Sequence, residues 1–148
     1  MGFGDKVLKD LCENIDHDLV YCPQLWVVLE FSRIDRAQMN HEYKVFGSWA
    51  GGFANGDEWR MNSGINKIED CGDHWIFHGY SGSAYRCFKG KVGTTRYTSD
   101  IVDHIQSKSI EMKPSRKVRI VDEKEIYDIM KIINSTRSRR DSDKKATD

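Results

Sequence analysis

Apolar and polar positions alternate with a period of two through the middle of the chain and take up a helical period nearer its ends. Residues 5–17 place Val7, Leu8, Leu11, Cys12 and Ile15 at helical spacing, with Lys6, Lys9, Asp10 and Glu13 between them. That spacing predicts an amphipathic helix of about three turns. After Pro23 the run LWVVLEFS (25–32) is apolar on both alternations as far as Glu30, the pattern of a central strand. Residues 42–50 alternate again, with Tyr43, Val45 and Trp49 against Glu42, Lys44 and Ser48. Asn55-Gly56 then predicts a type I′ hairpin turn with a returning strand over 57–65, because both residues tolerate positive φ.

The stretch DHWIFHGYSGSAYRCF (73–88) predicts a second hairpin around Ser81-Gly82. A two-residue loop there sets Gly79 opposite Ala84, Phe77 opposite Arg86 and Trp75 opposite Phe88. Trp75, Phe77, Ala84 and Phe88 then share a core face, while His74, Ile76, His78, Tyr80, Ser83, Tyr85 and Cys87 share the other. A slip of one residue would exchange the faces. The preceding Cys71-Gly72 turn sets Ile68 opposite Trp75, so residues 42–88 read as one curled meander. Thr98 or Ser99 caps a short helix through Lys108, residues 113–121 form a strand, and Asp122 with Glu125 opens a helix striped by Ile126, Ile129, Met130 and Ile133. Beyond Asn134, STRSRRDSDKKATD has no large apolar residue to offset its ordering entropy. The predicted fold class is α+β: one domain over 1–134, a curled antiparallel sheet of about five or six strands with three helices packed on it, and a disordered charged tail over 135–148.

Charge narrows the partners. Lys plus Arg and Asp plus Glu are 23 each in 148 residues, so no overall field draws the protein onto nucleic acid or an anionic membrane. Its longest strongly apolar run, near Leu25 to Leu29, is far short of a membrane span, and the first residues lack a signal-peptide layout. Lys6 stands where a myristoylation motif needs Ser or Thr. Cys12, Cys22, Cys71 and Cys87 form no CxxC pair and read as reduced thiols of a cytoplasmic protein.

Three constellations bear on chemistry. Cys71, His74, His78 and Cys87 have the side chains zinc prefers, but His74 and His78 lie about 13 Å apart along a strand, so no metal or other cofactor is expected. Ser81 sits between Gly79 and Gly82 without the strand-to-helix turn of a nucleophile elbow, and reads as a turn residue. A binding surface remains, made of Arg60, Asn62, His78, Tyr80, Tyr85, Arg86 and Tyr97 with Lys89 and Lys91 nearby. Aromatic rings and guanidinium groups there suit a protein interface, or stack on bases.

The blocks VFGSWAGGFANGDEWRMNSGI, HGYSGSAYRC and GTTRYTSDIVDHI, covering about residues 45–105, resemble small accessory proteins encoded by tailed bacteriophages. The resemblance implies a role in host takeover or counter-defence, exercised by binding in the host cytoplasm, and transfers no functional residue. The reading is a non-enzymatic binding protein that meets a macromolecular partner, a protein in the first instance, through the aromatic and Arg face. One alternative is a nucleotide or nucleic-acid binding module on the same face. The other is a small hydrolase whose acids, Asp57, Glu58, Asp70 and Asp73, converge only in three dimensions.

Overall fold

The computed structural model describes residues 20–35, 41–51 and 56–146, with backbone alone from 137 onward. Its strands are β1 (Val20–Tyr21), β2 (Leu25–Arg33), β3 (Glu42–Trp49), β4 (Glu58–Met61), β5 (Ile65–Asp70), β6 (His74–Gly79), β7 (Ala84–Phe88) and β8 (Arg116–Val121). Its helices are α1 (Arg96–Glu111) and α2 (Ile126–Ala146), the latter entered through a 3-10 turn over Glu123–Glu125. The helix predicted over 5–17 lies outside the described residues. α2 extends through residues 135–146, where the sequence reading places a tail.

The predicted single meander is divided between two four-stranded sheets. Sheet I has the order β1-β7-β6-β5, antiparallel except for the β1–β7 pair; sheet II has the order β4-β3-β2-β8 and is antiparallel throughout. The chain leaves one sheet for the other after β4. Asn62 donates its backbone N–H to the Val45 carbonyl (3.1 Å) and accepts the Val45 N–H on its side-chain Oδ1 (3.0 Å), which ends the β3–β4 ladder. Gly64 then takes φ +138°, a conformation that L side chains rarely adopt, and β5 begins in sheet I.

The main core lies between the sheets. Trp26, Val28, Val45 and Val121 of sheet II meet Ile65, Ile68, Trp75, Phe77, Tyr85 and Cys87 of sheet I, with Ile126 and Ile129 of α2 added. The other face of sheet II carries Val27, Leu29, Phe31, Phe46 and Val118, covered by Val102, Ile101 and Ile105 of α1. β2 is thus apolar on both alternations because both of its faces are buried. α1 starts earlier than its sequence suggests: Thr95 is the N-cap, and Thr98 is its reciprocal partner in the capping box. The Asp122–Glu125 box forms as its residues indicate.

The β6–β7 register differs from the two-residue loop by one position. His78 pairs with Ala84, Phe77 with Tyr85, Ile76 with Arg86 and Trp75 with Cys87, and Gly79 donates its N–H to the Ser83 carbonyl (2.8 Å), leaving a three-residue loop from Tyr80 to Gly82. The cause lies outside the hairpin. Tyr80 donates its N–H to the Gly64 carbonyl (3.0 Å) and Ser81 donates its own to Ser63 Oγ (3.0 Å), so both are drawn away from the ladder. Tyr85 and Cys87 therefore join Trp75 and Phe77 in the core, while Phe88 moves to the outward face with His74, Ile76 and His78. At the β5–β6 turn the shift is two positions, with Ile68 opposite Phe77, and an even shift leaves each face unchanged.

Candidate functional site

The seven residues assigned to one binding face are distributed over several parts of the structure. Tyr85 is 1% exposed, its ring centroid 5.1 Å from that of Tyr21, and burial pushes its phenol pKa up to about 12. Asn62 is buried in the ladder contacts described above. His78 and Arg86 lie on the outward face of sheet I, where His78 Nε2 is 3.3 Å from Glu69 Oε2 and Lys67 Nζ is 3.0 Å from Glu69 Oε1. Burial raises the Glu69 pKa, but hydrogen bonds from Lys67 and His78 outweigh it and hold the carboxyl below its ordinary value. Tyr80 is exposed on the loop after β6, and Tyr97 is exposed in the first turn of α1.

Arg60 occupies a different setting, at the open margin between the two sheets. Val20, Tyr21 and Cys22 line one side of a cleft of about 500 Å³, and Trp49, Ala50, Gly51, Glu58 and Arg60 line the other. The register on β3 pairs Gly47 with Arg60 and Trp49 with Glu58, so Arg60 and Glu58 project from the face of sheet II turned toward sheet I. The Arg60 guanidinium carbon lies 4.4 Å from the Tyr21 ring centroid, a cation–π contact across the margin. Trp49 Nε1 donates to the Cys22 carbonyl (3.0 Å), and the Gln24 side chain accepts the Ala50 N–H (2.7 Å), which together fix the back of the cleft. Arg60 and Glu58 are both exposed, and neither has an ion-pair partner among the described residues.

Two other polar clusters bind the fold together. Glu30 accepts from the Tyr43 hydroxyl (2.9 Å) and from Arg119 (3.3 Å), and Arg119 in turn makes two bonds to Glu125 (3.1 and 2.9 Å). Burial and the Glu30 carboxylate push the Tyr43 pKa up to about 12. At the far end of sheet I, the Lys89 ammonium lies 2.6 Å from Asp70 and 4.4 Å from the Trp75 ring centroid.

The four acids proposed for hydrolysis belong to different sheets. Asp57 and Glu58 stand at the start of β4, while Asp70 and Asp73 lie in the β5–β6 turn, engaged by Lys89 and by His74 Nδ1 at 2.7 Å. The candidate zinc ligands are also separated: Cys87 is a fully buried thiol on the core face, whereas His74 and His78 point outward. Cys71 is disulfide-bonded, which corrects the reading of four reduced thiols. Sequence spacing did not show this, because cysteines pair by approach in three dimensions. Among the described residues, no three His, Cys, Asp or Glu side chains are grouped as a metal site requires.

Sequence reasoning named Arg60 as a candidate and did not name Tyr21 or Trp49, which line the same cleft. A two-residue strand such as β1 has no periodicity to read, and Trp49 gave only the alternation of β3. No helix among the described residues is long and apolar enough to cross a membrane. Compared with known proteins, the chain matches no family model, no curated protein and no solved structure.

Proposed function

We propose that this is a non-enzymatic binding protein that receives a short segment of a protein partner in the cleft between β1 and β4. The observation that carries the reading is Arg60, stacked on Tyr21 and without a carboxylate partner among the described residues, at the mouth of an open cleft that also presents Trp49 and Glu58. Arg, Tyr and Trp are the side chains that most often dominate protein interfaces, and a stacked guanidinium is already ordered before a partner arrives. Glu58 adds a carboxylate on the same side of the cleft, suited to a cation from the partner.

A nucleotide would use the same stack, but among the described residues Arg60 is the sole basic side chain lining the cleft. With equal numbers of acidic and basic side chains in the whole chain, a phosphate backbone finds little to neutralise it. The resemblance to phage accessory proteins supplies a setting for the proposal, binding a host protein during takeover or counter-defence.

Site-specific photo-crosslinking tests the reading. A photoreactive amino acid at Glu58 is expected to capture a discrete partner from an extract of the native cell, while the same group at exposed Ile120 on β8 is not. Equal capture from both positions would remove the cleft from the account, and capture of mononucleotides in place of protein would favour the nucleotide reading.

A further inference from the structure

The edge strands of the two sheets differ in what meets their open sides. β1 and β5 bound sheet I, and β4 and β8 bound sheet II. On β5 the side-chain amide of Asn134 bonds the backbone N–H and carbonyl of Ile68, and on β8 that of Gln106 bonds the Val118 carbonyl. Helix side chains thus occupy main-chain groups at the two edges that contribute nothing to the cleft. β1 and β4, which flank the cleft, carry no such bond among the described residues.

β4 is the longer of these two, with four residues against two. Its register settles which of its groups are open. Asn62, the next residue, donates its N–H to the Val45 carbonyl, and bonded and non-bonded pairs alternate along an antiparallel ladder. Arg60 and Glu58 therefore turn their N–H and carbonyl toward β3, whereas Trp59 and Met61 turn theirs away from the sheet. Those outward groups have no hydrogen-bond partner among the described residues. Glu58, Trp59 and Arg60 are exposed, so the edge is open to water. Side chains alternate along it. Glu58 and Arg60 line the cleft, while Trp59 lies on the opposite face, stacked on Phe46 with ring centroids 5.3 Å apart and still 42% exposed.

We propose that the partner segment is bound as an added strand, antiparallel to β4, that extends sheet II. The proposal rests on the reading of the cleft as the site for a protein segment and says how that segment is held. Its backbone bonds the outward groups of Trp59 and Met61, and its side chains alternate between the cleft and the Trp59 face. Antiparallel pairing continues the pattern of sheet II. Opposite Arg60 the segment presents an acid, and opposite Glu58 a base, because neither charge has an ion-pair partner among the described residues. The residue between them is apolar and covers Trp59. In an antiparallel strand the residue opposite Arg60 comes first, so the segment reads acid, apolar, base.

Selection of random linear peptides on the full chain, followed by hydrogen exchange on the selected complex, tests it. The selected peptides are expected to carry the order acid, apolar, base and to lose binding to Arg60→Ala. In the saturated complex the amides of Trp59 and Met61 are expected to exchange at least about tenfold more slowly than in the free protein. Met61→Pro removes an outward N–H and no bond to β3, and is expected to bind at least about tenfold more weakly than Met61→Ala, the control for the lost side chain. The exchange measurement uses the parent chain, so the test stands if Met61→Pro does not fold. Unchanged exchange at both amides, with binding still dependent on Arg60, overturns the added strand and leaves the cleft reading in place. The order base, apolar, acid overturns the antiparallel strand. Peptides whose binding ignores Arg60, or a selection that yields no binder, overturn the strand and the cleft reading together.

Discussion

The side chain of Asn134 makes to Ile68 both of the hydrogen bonds that a neighbouring strand would make. Its Oδ1 accepts the Ile68 N–H at 3.2 Å, and its Nδ2 donates to the Ile68 carbonyl at 3.0 Å. Ile68 lies on β5, an edge of sheet I, so the amide from α2 occupies backbone groups that would otherwise be open to another chain. α1 does the same on one bond at the edge of sheet II, where Gln106 Nε2 donates to the Val118 carbonyl of β8 at 3.1 Å. Asn134→Ala is expected to cost about 1 to 3 kcal/mol, the loss of two hydrogen bonds at a part-buried site. A urea melt measures it; a cost below about 0.5 kcal/mol would show that water replaces the amide without penalty.

The β6–β7 register predicts which aromatic side chains support the fold. Tyr85→Ala, Trp75→Ala and Phe77→Ala should each destabilise by roughly 3 to 5 kcal/mol, because all three side chains lie in the core between the sheets. Tyr80→Ala, on the exposed loop, should cost less than about 1 kcal/mol. Urea melts on the four variants decide it. Tolerance of Tyr85→Ala alone would restore the two-residue loop.

Alkaline pH should unfold the protein through its buried phenols. Tyr43 and Tyr85 have pKa values raised from 10.0 to about 12, the first cause in both being burial. A raised folded-state pKa means that stability is complete below pH 10 and falls as pH rises from 10 toward 12. Tyrosinate absorbance should therefore rise together with loss of structure, and Tyr85→Phe should shift that transition to higher pH. An unchanged transition in Tyr85→Phe would assign alkaline unfolding to other groups.

Acid acts through the carboxyls with lowered pKa values. A hydrogen bond from Lys89 lowers the Asp70 pKa from 3.8, and in Glu30 the bonds from Arg119 and Tyr43 outweigh the opposing effect of burial and lower it from 4.5. Their contribution is present above these values and is lost as pH falls through the folded-state pKa. Asp70→Asn should flatten the decline of the melting temperature below about pH 4. A decline as steep as in the parent protein would remove Asp70 from the acid response.

How far the sequence could be read depends on whether the responsible interaction was local. β2, the α+β class, the Asp122–Glu125 box and the core roles of Trp75 and Phe77 were legible, since each rests on spacing within one element. The division into two sheets was not, because it turns on Asn62 bonding back to Val45 and on the conformation of Gly64. The hairpin faces failed for a similar reason: Ser63 and Gly64 capture the N–H groups of Ser81 and Tyr80, and no pattern within 73–88 reports that contact. Arg60 was named as a candidate by its residue type, whereas Tyr21, over whose ring it lies, became visible only when β1 paired with β7.

The central functional claim is that a partner is bound at the cleft through Arg60. Its most direct measurement is calorimetric titration of the protein captured by crosslinking at position 58 against the parent chain and Arg60→Ala, with melting temperatures recorded for both. The account predicts at least a tenfold loss of affinity, about 1.4 kcal/mol, with the melting temperature of Arg60→Ala within a few degrees of the parent. Equal affinity for the two chains would contradict it.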